Sequence, residues 1–202
     1  MELVILLLLI GAGTAAVVAY LRNRKAEEAR RQQEAAKPQD PFAQGHGNED
    51  LLYGLKVSDV IGYHARDWVV RGSLRFDDGG YTWAEHLISD ARDQHWLSVE
   101  DDEGISVILW RRVPLSEVDG EPGARSVTHA QVAYHLHEEG QARYTAEGTT
   151  GTAPSGTARY IDYHGPDDQR LSFERFGEGE AWEVSVGHTV LPRVLDVFPR
   201  AG

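Results

Sequence analysis

Glu85 sits in Tyr81-Thr82-Trp83-Ala84-Glu85-His86-Leu87-Ile88, which alternates Tyr81, Trp83, Glu85 and Leu87 on one face with Thr82, Ala84, His86 and Ile88 on the other. If the aromatic face points inward, a carboxylate points inward with it. A buried carboxylate must find a partner or take up a proton, so this position can serve an ion pair, a cationic ligand or acid–base chemistry. A weak internal repeat offers the partner. Shifted by 74 residues, Trp96-Leu97-Ser98-Val99-Glu100 falls on Arg170-Leu171-Ser172-Phe173-Glu174, and Glu85 falls on Arg159, whose face includes Ile161 and Tyr163. The expectation is an inward polar pair between Glu85 and Arg159 or Arg175 that fixes the register of two meanders. A ligand site would then comprise Trp83, Glu85, Arg159 and Tyr163.

His135 and His137 form a His-x-His pair, which a strand places on one face as a metal requires. The opposite face carries Val132, Tyr134 and Leu136, so the histidines are expected in water. A third ligand would have to come from His129, Glu138 or Glu139. They are weak metal candidates, and no metal or cofactor is expected. Of the five tryptophans, Trp68, Trp83 and Trp182 fall on faces expected to pack inward. Trp96 and Trp110 fall opposite the aliphatic residues and are candidates for an interaction surface.

Other chemistry is excluded by composition or motif. The chain of 202 residues has no cysteine, which removes disulfides, thiolate metal sites and cysteine nucleophiles. The acidic runs Asp77-Asp78, Glu100–Glu103, Glu138-Glu139 and Asp167-Asp168 lack EF-hand spacing. There is no Gly-x-Ser-x-Gly elbow, no His-Glu-x-x-His and no phosphate-binding loop. Net charge is −12; residues 1–37 hold six Lys/Arg against four acids, leaving 14 against 28 in the remainder. So acidic a domain repels phosphate backbones, which argues against nucleic acid and for a cationic partner or plain solubility.

The elements that must position these residues start after residue 50. Period-two alternation runs through Trp68–Phe76, Tyr81–Ile88, His95–Val99, Ile105–Leu109, Val132–Leu136 and Trp182–Val186, with Asp77-Asp78-Gly79-Gly80 as a hairpin turn and Gly148–Gly156 as a long hairpin loop. About ten short strands and no convincing helix after residue 40 predict an all-β domain over 51–202. It should be an antiparallel barrel or sandwich, compatible with two pseudo-repeated meanders. Ahead of it, Leu3–Leu21 is an uncharged run long enough for a transmembrane helix. Arg22, Arg24, Lys25, Arg30 and Arg31 follow it, so the N-terminus is expected outside and the remainder in the cytoplasm. Residues 22–37 read as a helical stalk continuing the anchor, and 38–50 as a flexible linker.

Leu55-Lys56-Val57-Ser58-Asp59-Val60-Ile61, Trp68-Val69-Val70-Arg71-Gly72, Tyr81–Ile88 and His95-Trp96-Leu97 together resemble the bacterial domain-of-unknown-function family four-one-seven-eight. The likeness covers 51–111 well and 156–199 more loosely. It departs at Ser58, where that family usually has glycine, and at His86, where tyrosine is common. The resemblance implies a β-rich domain and no established activity. Proteins like it are often encoded near small membrane proteins and a spermidine-synthase-like enzyme, which implies a membrane-associated, polyamine-related system.

Together these features predict a single-pass membrane protein whose cytoplasmic β domain is a binding or scaffolding module for a protein partner or small cationic ligand. The alternative is an enzyme or enzyme accessory with a small pocket around the inward carboxylate.

Overall fold

The computed structural model describes residues 47–102 and 104–200. The expected transmembrane helix, the stalk and most of the linker lie outside these residues. No helix among the described residues is long and apolar enough to cross a membrane.

A short helix, α1 (Gly47–Tyr53), precedes twelve strands: β1 (Val60–Tyr63), β2 (Arg66–Asp78), β3 (Tyr81–Ser89), β4 (Gln94–Asp101), β5 (Ile105–Val113), β6 (Val118–Asp119), β7 (Ser126–His129), β8 (Val132–Gly148), β9 (Ser155–His164), β10 (Gln169–Phe176), β11 (Glu183–Thr189) and β12 (Asp196–Phe198). The helix corrects the expectation that 38–50 is all linker. Glu49 and Asp50 occupy its first turn, where acidic side chains favour the helix dipole. Leu52 and Leu55 are fully buried, and Arg75 donates to the carbonyls of Tyr53 and Leu55 at its end.

All strand pairs are antiparallel and belong to one sheet, in the order β12-β1-β2-β3-β4-β5-β11-β10-β9-β8-β7-β6. A further pairing of β2 with β8 closes eight of these strands into a barrel. Two long strands make the closure possible. The first part of β2 pairs with β1 at Arg66–Val69, and its later part pairs with β8 at Gly72–Asp77. The exchange of partners coincides with a register shift against β3 between Val70 and Gly72. On β8, residues 132–135 pair with β7 and residues 143–148 with β2. The β1/β12 and β6/β7 flaps therefore branch from the two seam strands, and the ring consists of two four-stranded meanders, β2–β5 and β8–β11.

The hairpin loop after Gly148 is pinned at its root. Thr149 donates to the Arg71 carbonyl at 2.9 Å, and a Cβ on Gly72 would meet the Thr149 oxygen at 2.3 Å.

The aliphatic faces point out of the barrel and are covered. Leu52, Leu55, Ile61, Trp68, Ile88, Leu97, Val99 and Val107 form one cluster, where α1, β1 and the C-terminal segment lie over β2–β5. Val118 and Val127 from the other flap cover Tyr134, Ile161, Tyr163, Leu171, Phe173 and Val184. Each such residue contributes ~1.5–3 kcal/mol by leaving water, so the flaps are where much of the apolar stabilisation resides. The opposite faces, left to fill the ring, are polar and aromatic.

Candidate ligand cavity

Residues directly paired across antiparallel strands share a face, and the register carries one inward set around the ring. Leu74 is opposite Glu85, Glu85 opposite Ser98, and Ser98 opposite Ile108. On the other meander Ser185 is opposite Ser172, Ser172 opposite Asp162, and Asp162 opposite Glu138. One layer away, Phe76, Trp83 and Glu100 run on from β2 to β4, and Glu174 faces Tyr160. The interior therefore combines acids, serines and aromatic rings with a few aliphatic side chains such as Leu74 and Ile108.

Glycines make room for those rings. A Cβ on Gly187 would lie 2.5 Å from the Trp110 ring, and one on Gly140 would lie 2.4 Å from the Tyr160 hydroxyl. Each glycine is the cross-strand partner of the aromatic residue laid over it. Phe76 stacks on Trp83 with centroids 4.7 Å apart, and Tyr160 meets Trp83 edge-on at 5.4 Å. The Trp110 indole N–H donates to Ser98 Oγ at 2.9 Å, and the Trp83 indole N–H donates to Glu85 at 3.2 Å.

These side chains leave a cavity of about 90 Å³, lined by Trp83, Glu85, Trp96, Trp110, Asp162 and Glu174 among others. At ~10–15 Å³ per water it holds about six to nine waters, or a small ligand. A vestibule of about 570 Å³ opens onto it, sharing Tyr81, Glu100, Glu138 and Asp162 with the cavity and adding Asp78, Asp102 and Arg170. Tyr160 donates to Asp78 at 2.9 Å and Tyr81 donates to Glu100, so both hydroxyls brace the rim. The rim has an excess of negative charge, which raises the local concentration of cations.

Enclosure changes the acids. Burial pushes Glu85 and Asp162 up to about 7, in spite of the hydrogen bond that Trp83 donates to Glu85. Glu174 is raised well above the usual carboxylate range, first by burial and then by the neighbouring charges of Glu85 and Asp162. Glu85 and Glu174 line the same cavity, close enough for the charge of Glu85 to raise Glu174. What accessibility these three side chains retain is to the cavity. Arg112, whose charge lowers Glu85 and Glu174, is in an ion pair with Glu183, the cross-strand partner of Glu174.

Trp83 and Glu85 thus face the interior as the sequence predicts, but the arginine partner is corrected. Arg159 and Arg175 sit opposite each other on the outer face of β9 and β10. Arg159 pairs with Glu139 at 3.0 Å, and Arg175 lies over the Trp182 ring at 4.8 Å. Tyr163 belongs to the outer apolar cluster, and its hydroxyl accepts the Gly123 N–H at 2.9 Å. Trp96 and Trp110, expected on a contact surface, point into the cavity, because the side of the strand opposite the aliphatic residues is the inside of the ring. His135 and His137 are exposed, as expected. Leu136 is exposed as well, at a register shift between Leu136 and Glu138. His137 stacks on His164 at 3.8 Å, and no group of three or more potential metal ligands exists among the described residues.

Asp162 and Glu174 are the functional candidates that sequence reasoning missed. Ser98 and Ser172 are 74 residues apart, but their inward partners Glu85 and Asp162 are 77 apart. A repeat read with one constant shift therefore misaligns β9 by three residues, an odd number that exchanges its two faces. A shift of 77 for this strand would have found Asp162, and Glu174 was already aligned with Glu100 by the shift of 74.

The family described as Domain of unknown function (DUF4178) matches residues 56–192, from the turn before β1 to beyond the last barrel strand. The chain belongs to this family. An uncharacterised protein of Mycobacterium tuberculosis strain H37Rv is 36% identical over 178 residues, covering 81% of this chain and 85% of the relative. An uncharacterised protein of Mycobacterium bovis strain AF2122/97 is similar to the same extent. No solved structure matches the chain. In this DUF4178 chain the matched segment includes every residue that lines the cavity.

Proposed function

We propose that this protein is a binding module that takes a small organic cation into its barrel. One observation carries the reading: Glu85, Asp162 and Glu174 line one cavity, and no basic side chain among the described residues hydrogen-bonds to any of them. An isolated buried charge is too costly to keep, and an ammonium group would supply the missing donors. The indoles of Trp83, Trp96 and Trp110 add faces that attract cations. Thermal denaturation of the full chain with ethylammonium, tetramethylammonium and the neutral comparators ethanol and tert-butanol tests this. The cations should raise the melting temperature and the alcohols should not; equal effects would overturn it.

The address of the module is part of the same proposal. The uncharged run Leu3–Leu21 with its basic flank would hold the barrel at the cytoplasmic face of the membrane, where a protein partner could meet its outer surface. The full chain should remain in the membrane pellet after alkaline carbonate extraction, and the barrel should resist protease added to intact spheroplasts. Recovery in the carbonate supernatant would overturn the anchor, and cleavage in intact spheroplasts would overturn the orientation.

A further inference from the structure

We infer that a second site lies on the outside of the barrel, in a groove that takes a small organic carboxylate. It does not depend on the cation-binding reading and is opposite to it in charge. The groove, of about 380 Å³, lies over the joint between β5 and β11. Two apolar clusters border each other there, with Leu109 packed on the edge of one and Val132 and Val186 on the edge of the other.

The register sets three donors side by side on the outer face. Gln169 on β10 is directly opposite His188 on β11, and His188 is the diagonal neighbour of Arg111 on β5, whose own partner is Val186. Trp110 lines the inner cavity, so Arg111, the next residue of the strand, faces out. His129, at the end of β7 in the flap, lines the same groove. Leu109, Val132, Val186 and the Tyr134 ring supply an apolar wall beside these donors.

The donors have no acceptors of their own. Residues 38–202 hold 28 acids against 14 Lys/Arg, yet the Arg111 guanidinium has no ion-pair or hydrogen-bond partner among the described residues. No acidic residue among the described ones lines the groove. His129 is nine-tenths buried, and neither ring nitrogen hydrogen-bonds to a described residue. The Glu117 carboxylate stands 3.7 Å from its Nε2, beyond hydrogen-bond reach. A buried polar group without a partner is unfavourable, so His129 is a position that a ligand would complete. The Tyr134 hydroxyl donates to Gln169 Oε1 at 3.1 Å, which leaves the Gln169 amide N–H groups as donors. His95 lines the groove too, but its Nδ1 is occupied by the Trp110 carbonyl at 3.3 Å. The fork of Arg111 matches a planar carboxylate, and the N–H groups of His129, His188 and Gln169 can meet its remaining lone pairs. The apolar wall then takes the body of the ligand, a division of roles usual in small-molecule sites.

Calorimetric titration of the full chain with benzoate tests the site, with benzyl alcohol and inorganic phosphate as probes of its two halves. Benzoate should bind, and both comparators should bind at least about tenfold more weakly, since one lacks the charge and the other the apolar body. Arg111→Gln should weaken benzoate about tenfold or more, and His129→Asn should weaken it as well, whereas Arg92→Gln, which removes an exposed guanidinium elsewhere, should not. Melting temperatures of the three variants without ligand check that each folds; Arg111 is exposed, so its variant should melt with the unaltered chain. No benzoate binding up to about 10 mM would overturn the site. Equal affinity for benzoate and benzyl alcohol, or equal loss in Arg111→Gln and Arg92→Gln, would overturn it too. Phosphate binding as tightly as benzoate would overturn the organic carboxylate as its ligand.

Discussion

Glu85 and Glu174 lie on strands four places apart in a ring of eight, yet both side chains line the same cavity inside it. The cavity sets two acids against each other in a place that also holds Asp162. A barrel could fill this volume with leucine and valine. Here most of the aliphatic residues instead lie outside the ring under two flaps, and the inside holds three acids among aromatic rings.

That arrangement makes stability depend on pH in a direction opposite to that of salt-bridged acids. Glu85 and Asp162 are raised to about 7, and Glu174 is raised too. The native state therefore binds more protons than the unfolded chain above the usual carboxylate pKa. Stability should fall as pH rises from about 4.5 through about 7. His86 works against this in the acidic half of the window: fully buried against Ser73, it is lowered to about 3 and must stay neutral. Above about pH 6.5 the free histidine is neutral as well, and the carboxyl effect stands alone. Urea denaturation without ligand should show a loss on the order of a few kcal/mol across the window. Glu174→Gln should be more stable than the unaltered chain at about pH 8 and little changed at about pH 5.

Asp162 and Arg159 separate the two alignments of the repeat. Asp162→Asn removes an inward carboxylate and should weaken cation binding by roughly tenfold, about the loss of one charge-assisted hydrogen bond. Arg159→Ala removes an exposed guanidinium paired with Glu139, and should leave binding unchanged and stability within ~1 kcal/mol. Isothermal titration of both variants against ethylammonium checks this, and the reverse order would place the site on the outer face.

The strands and their alternation were legible in the sequence because Trp68–Phe76, Tyr81–Ile88 and the other runs carry period two clearly. Which face is inside was not. In most small barrels the aliphatic face fills the ring, so Leu97, Val99 and Val107 suggest an interior that they do not form. Their burial comes from α1 and the flaps, and the flaps exist only because β2 and β8 each change partner midway. That exchange leaves a signal only at the Arg71-Gly72 step. Trp96 and Trp110 were recognised as lying opposite the aliphatic residues, and the topology turned that face from outside to inside. α1 was missed because its helical turns are too few for a 3.6-residue period to show, and Leu52 and Leu55 gain their burial from distant partners.

Gly187 controls how much room the cavity keeps. Its Cα faces the Trp110 ring, and an added methyl would overlap the ring at 2.5 Å. Trp110 is held through Ser98 on the neighbouring strand, so it can yield only towards the cavity. Gly187→Ala should break the indole hydrogen bond, cost ~1–3 kcal/mol as an overpacking change, and reduce or abolish cation binding. Tryptophan emission and calorimetry report the two effects separately. Unaltered binding with a shifted emission would show that the cavity has space beyond Trp110.

Ser58 is a position where the fold carries strain that a single atom group removes. Its φ is +80°, in the left-handed region that glycine adopts freely and other residues avoid. The turn cannot relax, because the Ser58 N–H donates to the Val70 carbonyl at 2.9 Å, and Asp59 is tied both to the Lys56 N–H at 2.7 Å and to the Arg200 N–H at 2.9 Å. The serine side chain is exposed, so no packing is lost with it. Relief of the Cβ clash is worth about 1–2 kcal/mol, and the extra freedom of glycine in the unfolded chain takes back about 0.5–1 kcal/mol. Ser58→Gly should therefore stabilise the protein by roughly 0.5–1 kcal/mol, whereas Ser58→Ala, which keeps the Cβ, should change little. Urea midpoints at one pH compare the two, and a gain from alanine equal to that from glycine would assign the effect to the hydroxyl rather than to the backbone.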